Sequence, residues 1–77
     1  MDKARIETQV KRIVGQYVKQ DFNARQDVFT AGFVNSFEAT QITLQVEKTF
    51  NIKISDAEAK NLRNVEAIAS FVSEKLG

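Results

Sequence analysis

Apolar residues recur at helical spacing in three separate runs of this chain, and each run is bounded by residues that start or stop helices rather than strands. Ile6, Val10, Ile13, Val14, Tyr17 and Val18 form the first, and predict an amphipathic helix over about residues 3–19. Gly15 inside it costs about 1 kcal/mol relative to Ala, which packing of the stripe offsets. The second run is Phe37, Ile42, Leu44, Val46 and Phe50, with Ala39, Thr40 and Thr43 between them. Asn35 precedes it and Glu38 follows three residues on, the pattern of an N-cap and its capping-box partner. A helix over about residues 36–50, partly buried on more than one side, is the expected central element. Ser55-Asp56-Ala57-Glu58 is a second capping box and starts a short helix expected to end near Leu62. Asn64 caps the third run, in which Val65, Ile68, Ala69, Phe71, Val72 and Leu76 face inward and Gly77 is a natural stop. Ile13, Val14, Leu44, Val46, Ile68 and Phe71 are expected to be buried together.

Between the first two helices the periodicity fails. Residues 20–35 nevertheless hold Phe22, Val28, Phe29, Phe33 and Val34 beside Asn23, Asp27 and Gly32, too much apolar surface for a solvated linker. The segment reads as a long connection folded over the helices and pinned by its aromatics, the kind of ordered loop that tends to be functional. The expected architecture is all-α: a four-helix bundle with a long first loop and a short third helix, one domain over residues 1–77.

Composition narrows the function. Hydrophobic residues are 43% and charged residues 27% of the chain, with no Pro and three Gly, which fits a folded helical domain and not a disordered one. There is no Cys and no His. A disulfide framework, a thiolate nucleophile, a Cys-based metal site, the commonest metal ligand and the commonest general base are therefore all missing, and a self-sufficient enzyme is not expected. Eleven basic and ten acidic side chains leave a net charge of +1, which gives no reason to invoke nucleic acid. The basic residues concentrate early, with Lys3, Arg5, Lys11 and Arg12 on the first helix; such runs usually face solvent. The chain starts with a mixed polar segment, and no stretch approaches the length that crosses a bilayer. A soluble, cytoplasmic protein without a membrane partner is expected.

Phosphate-cradling, zinc-binding and calcium-binding motifs are absent from the sequence. Glu38 with Glu47, and Asp56 with Glu58, miss the i, i+3 and i, i+4 spacings at which helical carboxylates converge. Ser36 is what remains. It stands in the first turn of the central helix, in Gly32-Phe33-Val34-Asn35-Ser36-Phe37-Glu38, where free backbone N–H groups and the positive end of the helix dipole favour a phosphate ester. A serine near a helix start is most often only a cap, and the residues alone leave both readings open.

Gly32 to Phe37 resembles the signature of the acyl and peptidyl carrier protein family, in which Gly, an apolar residue, Asp, Ser and Leu lead into the second helix. The similarity continues through Gln41, Leu44, Glu47 and Phe50, then Ile54-Ser55-Asp56 and Asn64-Val65-Glu66-Ala67-Ile68, and covers essentially the whole chain. The resemblance implies that Ser36 accepts 4′-phosphopantetheine from coenzyme A through a separate phosphopantetheinyl transferase. It also implies a monomer that is no enzyme, holds acyl groups as thioesters and delivers them to an acyltransferase, a ketosynthase or other acyl-processing enzymes. Val34, Phe37, Glu38 and Phe33 would form the docking surface around the arm, with Glu47 a further anionic contact.

Two positions depart from the family pattern: Asn35 stands where Asp is usual and Phe37 where Leu is usual. Asn caps as well as Asp, but a negative charge beside the phosphate is lost. Phe37 suits either docking surface or core. The predicted second helix is also weakly acidic, with Glu38 and Glu47 against Lys48. Together with Asn61-Leu62-Arg63-Asn64-Val65 this resembles discrete carriers of secondary-metabolite pathways, in particular those holding malonyl-derived extender units. Polyketide or mixed polyketide and peptide biosynthesis is the pathway implied. A carrier of fatty acid synthesis or an aminoacyl carrier is the alternative, and a non-carrier helical interaction module, which would need no serine after a long loop, is the second.

Overall fold

A computed structural model describes residues 2–29 and 32–77; the predicted loop over residues 20–35 thus includes two positions, Thr30 and Ala31, outside the described residues. The described residues form helices α1 (Lys3–Gly15), α2 (Ser36–Phe50), α3 (Asp56–Ala59) and α4 (Val65–Leu76), with no strand among them. The all-α architecture is as the periodicity predicts. Every helix start is held by a side chain: Asp2 accepts from the Arg5 N–H, Asn35 from Glu38, Ser55 from Glu58 and Asn64 from Ala67. The boxes at Asn35 and Ser55 are reciprocal, since Glu38 and Glu58 each accept the cap residue's own N–H.

Two helix ends fall short of the sequence prediction. α1 stops at Gly15, not near residue 19, because the Gln16 and Tyr17 N–H groups donate to the Ile13 and Val14 carbonyls, three residues back, and the chain tightens into a turn. Val18 is still buried, its N–H on the Val14 carbonyl at 3.0 Å. α3 stops at Ala59, not near Leu62, because Asn61 and Leu62 donate to carbonyls three residues back, the tighter 3₁₀ pattern. α2 ends where Asn51 takes a left-handed conformation, φ 54°, which Asn tolerates better than most residues.

The core is built from Ile6, Val10 and Val14 of α1, Ile42, Val46 and Phe50 of α2, and Val65, Ile68 and Val72 of α4, closed by Val28 and Leu62. α1 packs most extensively on α4 and less on α2. Four expected core residues are buried: Ile13, Val14, Val46 and Ile68. Leu44 is not; it is 43% exposed. At about 100° per residue it points away from Ile42 and Val46, the two residues on either side of it that face the core. Phe71 is half-buried, with the Lys75 ammonium 5.3 Å from its ring centre, and Leu76, in the last turn of α4, is largely exposed.

The long loop is stitched to the start of α4. The Val28 N–H donates to the Arg63 carbonyl and the Glu66 N–H to the Ala24 carbonyl, both at 2.9 Å. The Arg63 guanidinium reaches Asp27 at 2.7 Å and that of Arg25 reaches Glu66 at 3.2 Å. Val28 is the fully buried anchor, whereas Phe22, Phe29 and Phe33 pack half-buried around the core edge. The hydrogen bond from Arg63 is the main cause that holds the Asp27 carboxyl below its ordinary range, aided by the Phe29 N–H and opposed by burial. A carboxylate with a lowered folded pKa stabilises the fold above its unfolded value, about 4, and that contribution is lost as pH falls through the folded value. Both partners are close to half exposed, so the contribution is small. Urea denaturation at pH 7 and pH 3 is expected to show a smaller acid-induced loss for Asp27→Asn than for the parent chain; equal losses would remove Asp27 from the acid response.

Candidate functional site

Gly32, at φ 96°, turns the loop toward α2 in a conformation that L side chains rarely adopt. Its carbonyl accepts from the Gln20 side chain at 3.4 Å. Asn35 then enters as N-cap, its Oδ1 accepting from the Glu38 N–H at 2.8 Å while Glu38 Oε1 accepts from the Asn35 N–H at 3.1 Å. Ser36 is consequently the first helical residue and not the cap. Its carbonyl accepts from the Thr40 hydroxyl at 3.0 Å, but among the described residues its own hydroxyl has no partner and is exposed. The first-turn N–H groups of Ser36 and Phe37 likewise have no acceptor among the described residues. An exposed, uncommitted hydroxyl thus sits beside unpaired donors at the positive end of a four-turn helix, an arrangement that suits a phosphate ester on the serine oxygen.

Around this serine the structure sorts the other candidates into two sets. Phe33, Val34 and Glu38 line one shallow depression of about 420 Å³ with Gly32 and Asn35. Phe37 stands apart from it and is 70% exposed, which removes the core reading for that residue. Val34 also belongs to a larger groove of about 710 Å³ that starts at Ser36 and runs along Thr40, Thr43, Leu44 and Glu47 of α2. Its opposite wall is Ile54, Asp56, Ala59, Lys60 and Arg63.

Glu47, expected as a further anionic contact, also has a partner within the chain. Its Oε2 accepts from the Ile54 N–H at 2.7 Å, tying the connection after α2 back onto the helix. Glu38 is engaged in the capping box, so both carboxylates of α2 have intramolecular work. Sequence reasoning missed this use of Glu47 and the groove-facing positions of Lys60 and Arg63. No local pattern announces them, because they meet α2 only through the tertiary fold. Among the described residues no three potential metal ligands come together, and no helix is long and apolar enough to cross a membrane.

The known proteins agree with the geometry. Residues 4–72 match the family described as phosphopantetheine attachment site. The acyl carrier protein of Onion yellows phytoplasma (strain OY-M) is 37% identical over 41 residues, which is 53% of this chain and 54% of that protein. The chain thus aligns with about half the length of that curated relative. Because the family match spans both walls of the groove and the helix start that presents Ser36, the chain belongs to the phosphopantetheine attachment-site family.

Proposed function

We propose that this protein is an acyl carrier, holding acyl groups as thioesters on a 4′-phosphopantetheine arm at Ser36 and delivering them to partner enzymes. The observation that carries the reading is the exposed Ser36 hydroxyl, left uncommitted because Asn35 does the capping. When bound, the arm supplies a thiol, which a chain without Cys lacks. The chain's own part is to hold the phosphate at the α2 N-terminus, where the unpaired N–H groups of Ser36 and Phe37 face it. A flexible tether presents its cargo to a docked enzyme at an effective concentration set by its length, so weak and brief docking suffices. No side chain here need act as acid, base or nucleophile toward the cargo.

Incubation with coenzyme A and a broad-specificity phosphopantetheinyl transferase is expected to add the mass of one arm. A folded chain that gains no mass overturns the carrier reading. The name of the phytoplasma relative supports acyl over aminoacyl cargo. Within acyl carriers, the weak acidity of α2, with Glu38 and Glu47 against Lys48, favours a polyketide or mixed polyketide and peptide pathway over fatty acid synthesis, where a strongly acidic second helix meets basic partners. A transferase, an acyltransferase and a ketosynthase are the partners this reading requires.

Docking should then rest on Phe37, Val34 and Phe33, with Glu38 as its electrostatic contact. Exposed charges are screened over about 8–10 Å at moderate salt, while apolar contacts are not. Turnover with the cognate partner is expected to fall little between low and moderate salt and to fall more for Phe37→Ala than for Glu38→Gln. A steep salt dependence with Phe37→Ala unaffected would show that charge dominates.

A further inference from the structure

We propose that the solvent face of α1 is a second docking surface, which takes an acidic helix of a partner protein and leaves the Ser36 face free. From Lys3 to Lys19 the chain carries five basic side chains and one acidic one, Glu7. Arg5, Lys11 and Arg12 are exposed and enter none of the ion pairs among the described residues. The Lys19 ammonium folds back to donate to the Gln16 carbonyl at 3.3 Å, which adds its charge to the end of the same helix. At about 100° per residue, Arg5 and Arg12 fall along one edge of this face and Lys11 along the other, with Thr8 and Gly15 between them. Ile6, Val10, Ile13 and Val14 turn the opposite way, into the core. Among the described residues, none of α1 lines either depression beside Ser36, so the two surfaces are separate.

The needs of the fold do not account for this face. α2, α3 and α4 each carry a carboxylate in the first turn, as the helix dipole favours. α1 carries none there and has Lys3 and Arg5 instead, which the dipole disfavours. Gly15 has neither a left-handed φ nor a neighbour that a Cβ would meet, and it weakens the helix relative to Ala. Close approach of a second backbone is a use for such a residue. Arg5 and Arg12, two turns apart, match carboxylates at the same spacing on a facing helix, and complementary charge of this kind selects a partner and steers its encounter. A lipid surface fits less well, because helices that lie on membranes present apolar residues beside their cations, and those of α1 are buried. Single-stranded nucleic acid is held on aromatic platforms, and α1 contains no aromatic residue. A carrier held through α1 keeps its station while the arm visits one enzyme after another, a consequence that alone rests on the carrier reading.

The probe is a helix-forming peptide of Ala in which Glu recurs at every third and fourth residue, compared with its Lys counterpart, with phosphatidylglycerol vesicles and with a thymidine oligonucleotide. Amide nitrogen–proton correlation spectra of the full chain locate the contact, and titration gives the Kd. The Glu peptide is expected to shift the amides of Arg5, Thr8, Arg12 and Gly15, to leave those of Val34 and Phe37 in place, and to lose affinity as salt rises. The Lys counterpart should shift none of them. Arg5→Gln combined with Arg12→Gln should weaken the Glu peptide by roughly two- to thirtyfold, the range that two exposed ion pairs supply. Gly15→Leu, which keeps every charge, should also weaken it while circular dichroism shows the chain folded. Ser36→Ala should bind the peptide as the parent chain does, since the arm takes no part. Shifts spread evenly over exposed lysines outside α1, affinity unchanged by the arginine pair or by Gly15→Leu, or tighter binding of vesicles or oligonucleotide at this face overturn the inference. A wild-type chain that gains no mass from the transferase overturns the carrier reading and leaves this surface standing.

Discussion

Ser36→Ala is expected to abolish attachment of the arm and to leave the stability of the fold within about 0.5 kcal/mol of the parent chain, the range of a surface change. The two halves of this expectation come from one geometric fact. The capping oxygen at the start of α2 belongs to Asn35, whose Oδ1 holds the Glu38 N–H, so removing the Ser36 hydroxyl breaks no hydrogen bond among the described residues. Ala is also a better helix former than Ser. Ser55 is the internal comparison. It too stands at a helix start, but as the cap itself, with its hydroxyl oxygen accepting from the Glu58 N–H at 3.1 Å. Ser55→Ala is therefore expected to cost about 1 kcal/mol and to leave loading intact. Intact-mass measurement after transferase treatment, paired with urea denaturation of each variant, separates the two roles. A Ser36→Ala chain that still gains the arm places the attachment elsewhere, and a Ser36→Ala chain that unfolds makes the residue structural.

The contrast between these serines also shows how far the sequence could be read. Both follow the pattern of a helix start with Glu nearby, and for Ser36 local sequence alone favours a cap while leaving an attachment point open. What the sequence did carry is the cap itself: Asn35 with Glu38, and Ser55 with Glu58, are reciprocal boxes in the structure, because capping is a matter of residues three apart. The helix stripes were legible for the same reason. The groove was not, since Lys60 and Arg63 reach it only after α3 and its following turn fold across α2. Nor was the role of Glu47, whose partner Ile54 lies beyond the left-handed turn at Asn51. A turn of that kind redirects the chain in a way that helical periodicity does not encode.

Ile42→Ala is expected to destabilise the protein by about 2–5 kcal/mol, as large-to-small changes in a packed core do, whereas Leu44→Ala should cost well under half as much. Periodicity counts alone placed Leu44 in the core, since it is apolar and lies in the α2 run. The register of α2 decides otherwise. Ile42, Val46 and Phe50 are spaced four residues apart and are 1%, 1% and 6% exposed, so they define the buried face. Leu44 is two residues, about 200°, from Ile42 and lines the groove below Ser36. An Ile42→Ala cavity would open in the buried cluster that residues of α1, α2 and α4 share, with Val46 one turn away already committed to the same core. For a domain this small, a loss in the expected range consumes a large share of the total stability. Urea midpoints of the two variants check the assignment directly. Equal losses would show that α2 is rotated about its axis, and with it would go the placement of Thr40, Thr43 and Leu44 along the groove; a large loss for Ile42→Ala alone fixes which face of α2 lines that groove.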